Sequence, residues 1–286
     1  MWFITACLVL VISLLLVAFR VLYLPHFDQR GFMTQLLLAG YGYAAEHAAH
    51  WVEPPFADLV PKEYHLVPTA VDIGPQSDLS LLPKIGANPH VTRLFIHRNL
   101  SVDQLNHFRS MELGFVEFSG HQDPSVVLAS ALDLQHVQVS VRLDPSHTIS
   151  PEWLQSWLDS DLDPSVGIIG GSDPPRSLLP LVLSARSFFI QNIPLTESDL
   201  RALSGSYGRL TFGEGTGVKP EWIPSNCEGQ SLKLQGYDAR GRALDPLMDQ
   251  FGLIRVEGCD TATVERFRRS GVELRATFTT PNGKVP

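Results

Sequence analysis

Short apolar groups recur along the chain at a nearly constant interval. Ten groups with an apolar-x-apolar pattern begin at Val71, Leu94, Val116, Val139, Val166, Phe188, Leu210, Leu232, Ile254 and Leu274. The four intervals from Val166 to Ile254 are 22 residues each, and the others lie between 20 and 27. Alternating apolar positions indicate half-buried β-strands, and a fixed period of this length is typical of a repeat architecture. The pattern therefore predicts ten short strands that stack in one array.

The segments between these groups also follow a shared pattern. Four residues after several anchors comes a residue that tolerates positive φ, namely Gly120, Gly170, Asn192, Gly236 or Gly258. Twelve and fifteen residues after an anchor come pairs that share one helical face: Leu178 and Leu181, Leu200 and Leu203, Leu244 and Leu247, with Val264 and Phe267 in the shorter last unit. Ser101 and Thr196 precede two of these segments and are predicted to be helix N-caps. Each unit is thus predicted to be a strand, a tight turn and a helical or irregular return.

A strand followed by a return segment, repeated about every 22 residues, resembles the units of the leucine-rich repeat family. The similarity is to the subclass with L-x-L-x-x, then Leu/Ile-Thr-Asp/Glu, then L-x-x-L, and the unit from Phe188 to Arg209 matches it best. The resemblance covers about 215 of the 286 residues. It implies an α/β fold, a leucine-rich-repeat-like solenoid of about ten strand–turn–helix or irregular units over residues 66–286.

The resemblance is incomplete at several positions. The Asn or Cys usual five residues after the anchor is mostly missing, although Cys259 occupies that position in one unit. Pro220 and Pro224 disfavour a regular helix in the Leu210 unit, and the 27-residue interval implies an insertion around Leu143–Pro164. An ordinary α/β enzyme domain is the alternative, but its βαβ units usually need 30 residues or more.

The first 24 residues are predicted to be a transmembrane anchor. Trp2 to Phe19 is an uncharged run of 18 residues, which spans roughly 27 Å as a helix against a hydrocarbon core of about 30 Å. A cleaved signal peptide is the alternative, yet no Lys or Arg precedes the run and it lacks a small-residue cleavage site. Arg20 and Arg30 follow the run and favour a cytoplasmic solenoid by the positive-inside bias, although large domains translocate largely regardless of charge.

Residues 25–65 are predicted to be a juxtamembrane segment. Apolar residues recur there at helical spacing, which predicts an amphipathic helix over about Gly31–Trp51, and Pro54 and Pro55 then end it. Such a helix would cover the exposed end of the first repeat. A helix lying on the bilayer is the alternative, although the polar face lacks the expected Lys and Arg enrichment.

Composition narrows the function classes. The chain has 44% hydrophobic residues and a formal net charge of -8, which argues against a general nucleic-acid surface. Three cysteines are too few for a disulfide framework. Cys227 and Cys259 are expected to be buried or free thiols.

The motifs that suggest chemistry are incomplete. In the sequence Glu46-His47-Ala-Ala-His50 the Glu precedes the first His, unlike the H-E-x-x-H zinc pattern, and no third ligand is evident. The glycines between Gly213 and Gly217 match neither phosphate-binding loop and are interpreted as a turn. No G-x-S-x-G nucleophile motif occurs. We therefore expect no catalytic residues, no metal and no cofactor.

The outward positions of the strands supply the candidate site. One residue after each anchor lies the row Asp72, Phe95, Glu117, Ser140, Gly167, Phe189, Thr211, Lys233, Arg255 and Arg275, and two positions further a second row includes Arg142 and Ile169. Phe95, Phe189 and Ile169 are candidate contact residues on the concave face, since aromatic residues are enriched at interface hot spots. Lys233, Arg255 and Arg275 form a candidate anion-binding patch, unless Glu257 and Glu273 pair with them.

These observations predict a non-enzymatic, membrane-tethered protein-interaction module. Repeat arrays present extended binding surfaces, so a protein partner on the concave sheet face is expected, with no nucleic acid and no small-molecule cofactor. A structural or self-assembling envelope-associated role is the alternative, and an enzyme is the third possibility, which would need a convergent polar pocket.

Overall fold

Ten of the strands contain the ten predicted anchor groups. A computed structural model of the protein describes residues 12–13, 24–47, 66–119, 122–143, 149–170, 176–239 and 241–276. The strands are β1 Gly42–His47, β2 Leu66–Ile73, β3 Arg93–Ile96, β4 Phe115–Ser119, β5 Gln138–Leu143, β6 Ser165–Ile169, β7 Ser187–Gln191, β8 Gly205–Phe212, β9 Cys227–Ala239, β10 Phe251–Cys259 and β11 Glu273–Ala276. They form one sheet in which the strand order is the order along the chain. The predicted α/β fold class is confirmed, and the consecutive strand order is compatible with the predicted repeat.

Short helices alternate with the strands. In the described ranges the α-helices are α1 Leu24–Leu38, α2 Leu82–Gly86, α3 Val102–Leu105, α4 Pro124–Ala129, α5 Pro151–Leu158, α6 Leu179–Ser184, α7 Glu197–Leu200 and α8 Thr261–Ser270. Ser101 and Thr196 begin α3 and α7 with capping boxes, as predicted. The Leu210 unit returns through a single 3₁₀ turn at Pro220–Trp222, because proline cannot continue a regular helix.

The chain divides into two compact units. Unit 1 comprises Met1–Val116 and Ser125–Val137, and unit 2 comprises Glu117–Pro124 and Gln138–Pro286.

Helix α1 of unit 1 begins earlier, at Leu24, and ends earlier, at Leu38, than the helix predicted over about Gly31–Trp51. The helix ends at Leu38, where Gly40 takes a φ of 77° and the Tyr41 amide donates to the Leu36 carbonyl at 2.9 Å. Gly42–His47 is instead a strand that pairs antiparallel with β2. The helical prediction was wrong here because a left-handed glycine ends the helix, and the following residues satisfy their backbone groups in the sheet.

The predicted membrane anchor lies outside the described residues, except that Ile12, Ser13 and Leu24 are helical. Within the residues that the structure does describe, no helix is both long and apolar enough to span a bilayer. The anchor therefore stays a prediction from sequence.

Unit 2 contains seven consecutive parallel strands, β5 to β11. The anchors Val166, Phe188, Leu210, Leu232 and Ile254 lie in register across β6 to β10 and are almost completely buried. The return segments contribute further buried side chains, as predicted: Leu200, Leu203, Leu244, Leu247 and Phe267. Leu181 and Val264 are only half-buried. Each fully buried side chain of this size contributes about 1.5–3 kcal/mol of hydrophobic stabilisation.

The register of β5 differs from the prediction by two residues. Val141, rather than Val139, pairs with Val166, so that Arg142 lies opposite Gly167 and Ser140 lies opposite Ser165. Val139 and Val141 are both buried, and for this reason the local pattern does not distinguish the two registers. The predicted placement of Ser140 beside Gly167 was wrong.

Candidate binding face of unit 2

The strands of unit 2 place one outward residue per strand in a continuous row. Strand pairing sets Arg142 opposite Gly167, then Phe189, Thr211, Lys233, Arg255 and Arg275 in turn. We call these seven residues the central row, and the face of the sheet that carries them the open face. The register predicted from Gly167 to Arg275 is confirmed, and Arg142 takes the place that the sequence assigned to Ser140.

A cavity of about 270 Å³ opens on this face at the β5 end of the central row. Its lining includes Glu117, Arg142, Ile169, Phe189, Arg209 and Thr211. Gly167 also lines it and contributes no side chain, which leaves the space above its strand empty. The structure therefore brings the predicted Ile169 and Phe189 to one concavity.

The Phe189 ring forms an apolar side of the cavity. Phe189 is half-buried, and its Cδ1 atom lies 3.9 Å from the position that a Cβ on Gly167 would occupy. Ile169 is also half-buried and lies two residues along β6 from Gly167, opposite Gln191 of β7. A half-exposed aromatic ring beside an open space is well placed to receive an apolar group from a ligand.

An ion pair forms a charged side of the same cavity. Arg142 Nη1 lies 3.5 Å from Glu117 Oε1, and the Glu117 side chain is only 13% exposed, against 44% for Arg142. Among the described residues, no group donates a hydrogen bond to Glu117 Oε1, although the atom is buried. Arg142 therefore provides the nearby positive charge for a carboxylate that has little contact with water.

Hydroxyl groups lie next to the central row. Ser140, Ser165 and Ser187 are paired across β5, β6 and β7, and the first two line the cavity. The Ser187 hydroxyl oxygen accepts a hydrogen bond from the backbone amide of Arg209 at 3.0 Å. The exposed Arg209 side chain also lines the cavity, so a ligand there would meet hydroxyl donors and a guanidinium group.

The far end of the central row is positively charged. Lys233 lies opposite Arg255, which lies opposite Arg275, and all three are exposed. Arg275 Nε pairs with Glu273 Oε1 at 2.5 Å, which was the predicted alternative for this patch. Within the part of the chain that the structure describes, Lys233 and Arg255 form no ion pair.

Phe95 belongs to unit 1. It lies opposite Asp72 in the pairing of β2 with β3, and its ring packs against Phe115 with centroids 5.5 Å apart. His97 Nε2 lies 3.4 Å from Asp72 Oδ1 on the same strand pair. Phe95 is therefore half-buried in an aromatic contact within unit 1.

The other motifs have structural partners. Glu46 pairs with Arg93 across the edge of unit 1, and His50 lies outside the described residues. No group of three metal-ligating side chains occurs among the residues that were described. In the Gly213–Gly217 segment, the Thr216 hydroxyl donates to the Gly213 carbonyl at 2.8 Å, and the Leu195 amide donates to the Thr216 carbonyl at 2.9 Å. These bonds form a turn.

Both described cysteines are free thiols. Burial, together with the neighbouring Glu228, raises the pKa of the Cys227 thiol to about 11. Burial, and then Asp260 and Asp238, raise the pKa of the Cys259 thiol as well. Both thiols are therefore protonated near neutral pH, which is unfavourable for a nucleophile.

The cavity was not predicted from the sequence, although the spacing of the anchors contains a signal for the position of Arg142. If Val141 is taken as the fifth anchor, the intervals on either side become 25 and 25 residues instead of 23 and 27. Even spacing would therefore have placed Arg142 in the central row. The burial of Glu117 depends on three-dimensional packing and has no comparable signal.

Comparisons of the chain with protein-family models, with curated proteins and with solved structures found no match. The geometry of the open face is accordingly the basis for the functional proposal.

Proposed function

We propose that the protein is a membrane-tethered, non-enzymatic interaction module of the leucine-rich-repeat type, which binds a protein partner on the open face of unit 2. The observation that carries the proposal is the cavity beside Phe189, which continues along the central row into exposed cations. Interfaces commonly combine a central aromatic contact with a polar surround. The open face has this composition.

The uncharged run from Trp2 to Phe19 supports the tether. A single anchor raises the effective concentration of the module near other membrane components. By the positive-inside argument the repeat units lie on the cytoplasmic side. Alkaline extraction of membranes tests the anchor. We expect the full-length protein to stay in the membrane and the protein without residues 2–19 to be released. Protection from protease in intact cells tests the side of the membrane.

Partner capture tests the binding face. Full-length protein is cross-linked in cells and purified as wild type, Phe189→Asp and Leu128→Asp. Leu128 is a matched control, because it is 51% exposed and belongs to α4 in unit 1 rather than to the open face. We expect wild type and Leu128→Asp to capture the same partners and Phe189→Asp to lose them, because a charged side chain would replace the apolar contact surface of the ring.

The same experiment separates this function from self-assembly. A differently tagged second copy of the chain is expressed in the same cells. Equal capture of other proteins by wild type and Phe189→Asp would overturn the proposal. Loss of the second copy alone would favour a self-assembling structural role.

A further inference from the structure

Among the described residues, ion pairs offset little of the positive charge at the basic end of the central row. Lys233, Arg255 and Arg275 are direct neighbours on adjacent parallel strands, and strands lie about 4.8 Å apart. Like charges placed opposite one another destabilise a sheet. Glu273 offsets the charge of Arg275 only. A column of exposed cations attracts negative groups from outside.

The central row changes from apolar to positively charged between β7 and β11. The cavity at Gly167 and Phe189 accepts an apolar group, Thr211 follows on β8, and the cations occupy β9, β10 and β11. From Phe189, Lys233 is two strands away and Arg275 is four, which corresponds to about 10 Å and about 19 Å. An extended peptide advances about 3.3 Å per residue. It would therefore reach the cations between roughly three and six residues after a side chain in the cavity.

We infer that the open face of unit 2 recognises an extended acidic peptide segment of a protein partner. The segment carries one aromatic or large aliphatic residue, which enters the cavity beside Phe189. It carries Asp or Glu residues roughly three to six positions away, which pair with Lys233, Arg255 and Arg275. This inference rests on the proposed function and specifies the chemistry of the partner.

Charge complementarity favours a peptide over other anionic ligands. The cations form a single line, with Thr211 and the apolar cavity at its end, whereas a nucleic-acid surface needs a broader basic area. A peptide can supply both an apolar side chain and spaced carboxylates along one line. On the far side of the cavity Arg142 is already paired with Glu117, so Lys233 and Arg255, which form no ion pair among the described residues, are the stronger site for acidic residues.

A synthetic peptide tests the inference directly. The probe is a fluorescein-labelled, otherwise neutral peptide of about ten residues, with one Phe and three Asp placed roughly three to six positions from it. Binding to the full-length protein in neutral detergent is followed by fluorescence anisotropy. We expect binding that weakens as salt is raised and that is lost when each Asp is replaced by Asn.

Variants of the protein identify the cations. Lys233→Gln with Arg255→Gln should weaken binding of the peptide by roughly tenfold. Arg201→Gln is the control, since Arg201 is exposed on the return side after α7. The charge-reversed pair Lys233→Glu with Arg255→Glu should prefer a probe in which Lys replaces each Asp. Thermal unfolding checks that each variant is folded.

The inference fails if the reversed pair binds the acidic probe as wild type does. It also fails if the protein binds vesicles with anionic lipids through these cations and does not bind the peptide. The proposed function is tested separately by Phe189→Asp. Loss of the cellular partners with Phe189→Asp but not with the reversed pair would leave the proposed function standing and remove the acidic specificity.

Discussion

Phe189 lies directly opposite Gly167 in the parallel pairing of β7 with β6, and its ring borders the space that a side chain on Gly167 would occupy. The apolar part of the cavity is therefore defined by two features together. Gly167 has no side chain, and Phe189 on the neighbouring strand supplies an aromatic ring.

Gly167→Ala should be tolerated, because the new Cβ would meet Phe189 at an ordinary contact distance of 3.9 Å. Replacing glycine in a strand raises the free energy of unfolding by about 0.5–1 kcal/mol. Gly167→Leu should occupy the part of the cavity beside Phe189 and reduce peptide binding, while the protein remains folded. Chemical denaturation and fluorescence anisotropy check the two effects. Full binding by Gly167→Leu would show that the cavity is not used.

Arg142→Met should lower the free energy of unfolding by about 1–3 kcal/mol, because it leaves the buried Glu117 carboxylate without its nearby positive charge. Glu117→Gln combined with Arg142→Met should cost less than Arg142→Met alone, since the carboxylate is then absent. Urea denaturation of both variants and of Glu117→Gln completes a double-mutant cycle. Additive changes would show that the two side chains do not interact.

Gly86→Ala should destabilise the protein by about 1–3 kcal/mol or more, because a Cβ at this position would lie 1.8 Å from the His107 carbonyl oxygen. Gly31→Ala is the matched control in the same unit. Nothing lies within 4 Å of its added Cβ, and alanine favours the helix by about 1 kcal/mol. Opposite shifts in Tm are expected. A Gly86→Ala protein as stable as wild type would contradict the close approach of the two segments.

Cys227 should make the protein less stable as the pH rises from about 9 to about 11. The thiol pKa is about 11 in the folded protein and about 8.5 in an unfolded chain. The unfolded state therefore loses its proton first, and stability falls by at most about 1.4 kcal/mol per pH unit in this window. Denaturation curves of wild type and Cys227→Ala measure the difference. Parallel pH profiles would contradict the prediction.

The repeat was predictable because its signal is distributed over ten units. A single apolar group such as that at Phe188 is ambiguous, but its recurrence at 22-residue intervals indicates strands that pair in register. Ser101 and Thr196 were predictable for a different reason. Their hydroxyls satisfy amides within the same turn, so the interaction lies within a few residues of sequence.

Two features of the fold were not predictable, because the local sequence fits two alternative structures equally well. Tyr41 and Ala44 fit the helical spacing, but the left-handed Gly40 redirects the chain into β1. In β5, both Val139 and Val141 can face inward, and pairing with Val166 selects the second. The basic end of the central row was identified from sequence because Lys233, Arg255 and Arg275 need only the correct register. The cavity was not, because it depends on a missing side chain at Gly167.

The constant register has a consequence for how the chain folds during synthesis. Each pairing between Phe188 and Ile254 joins residues 22 positions apart, and each new strand needs only the strand made just before it. The entropy of loop closure is therefore nearly equal at every step. Strands β7 to β10 can add to the sheet one at a time as they leave the ribosome, in the order in which they are translated.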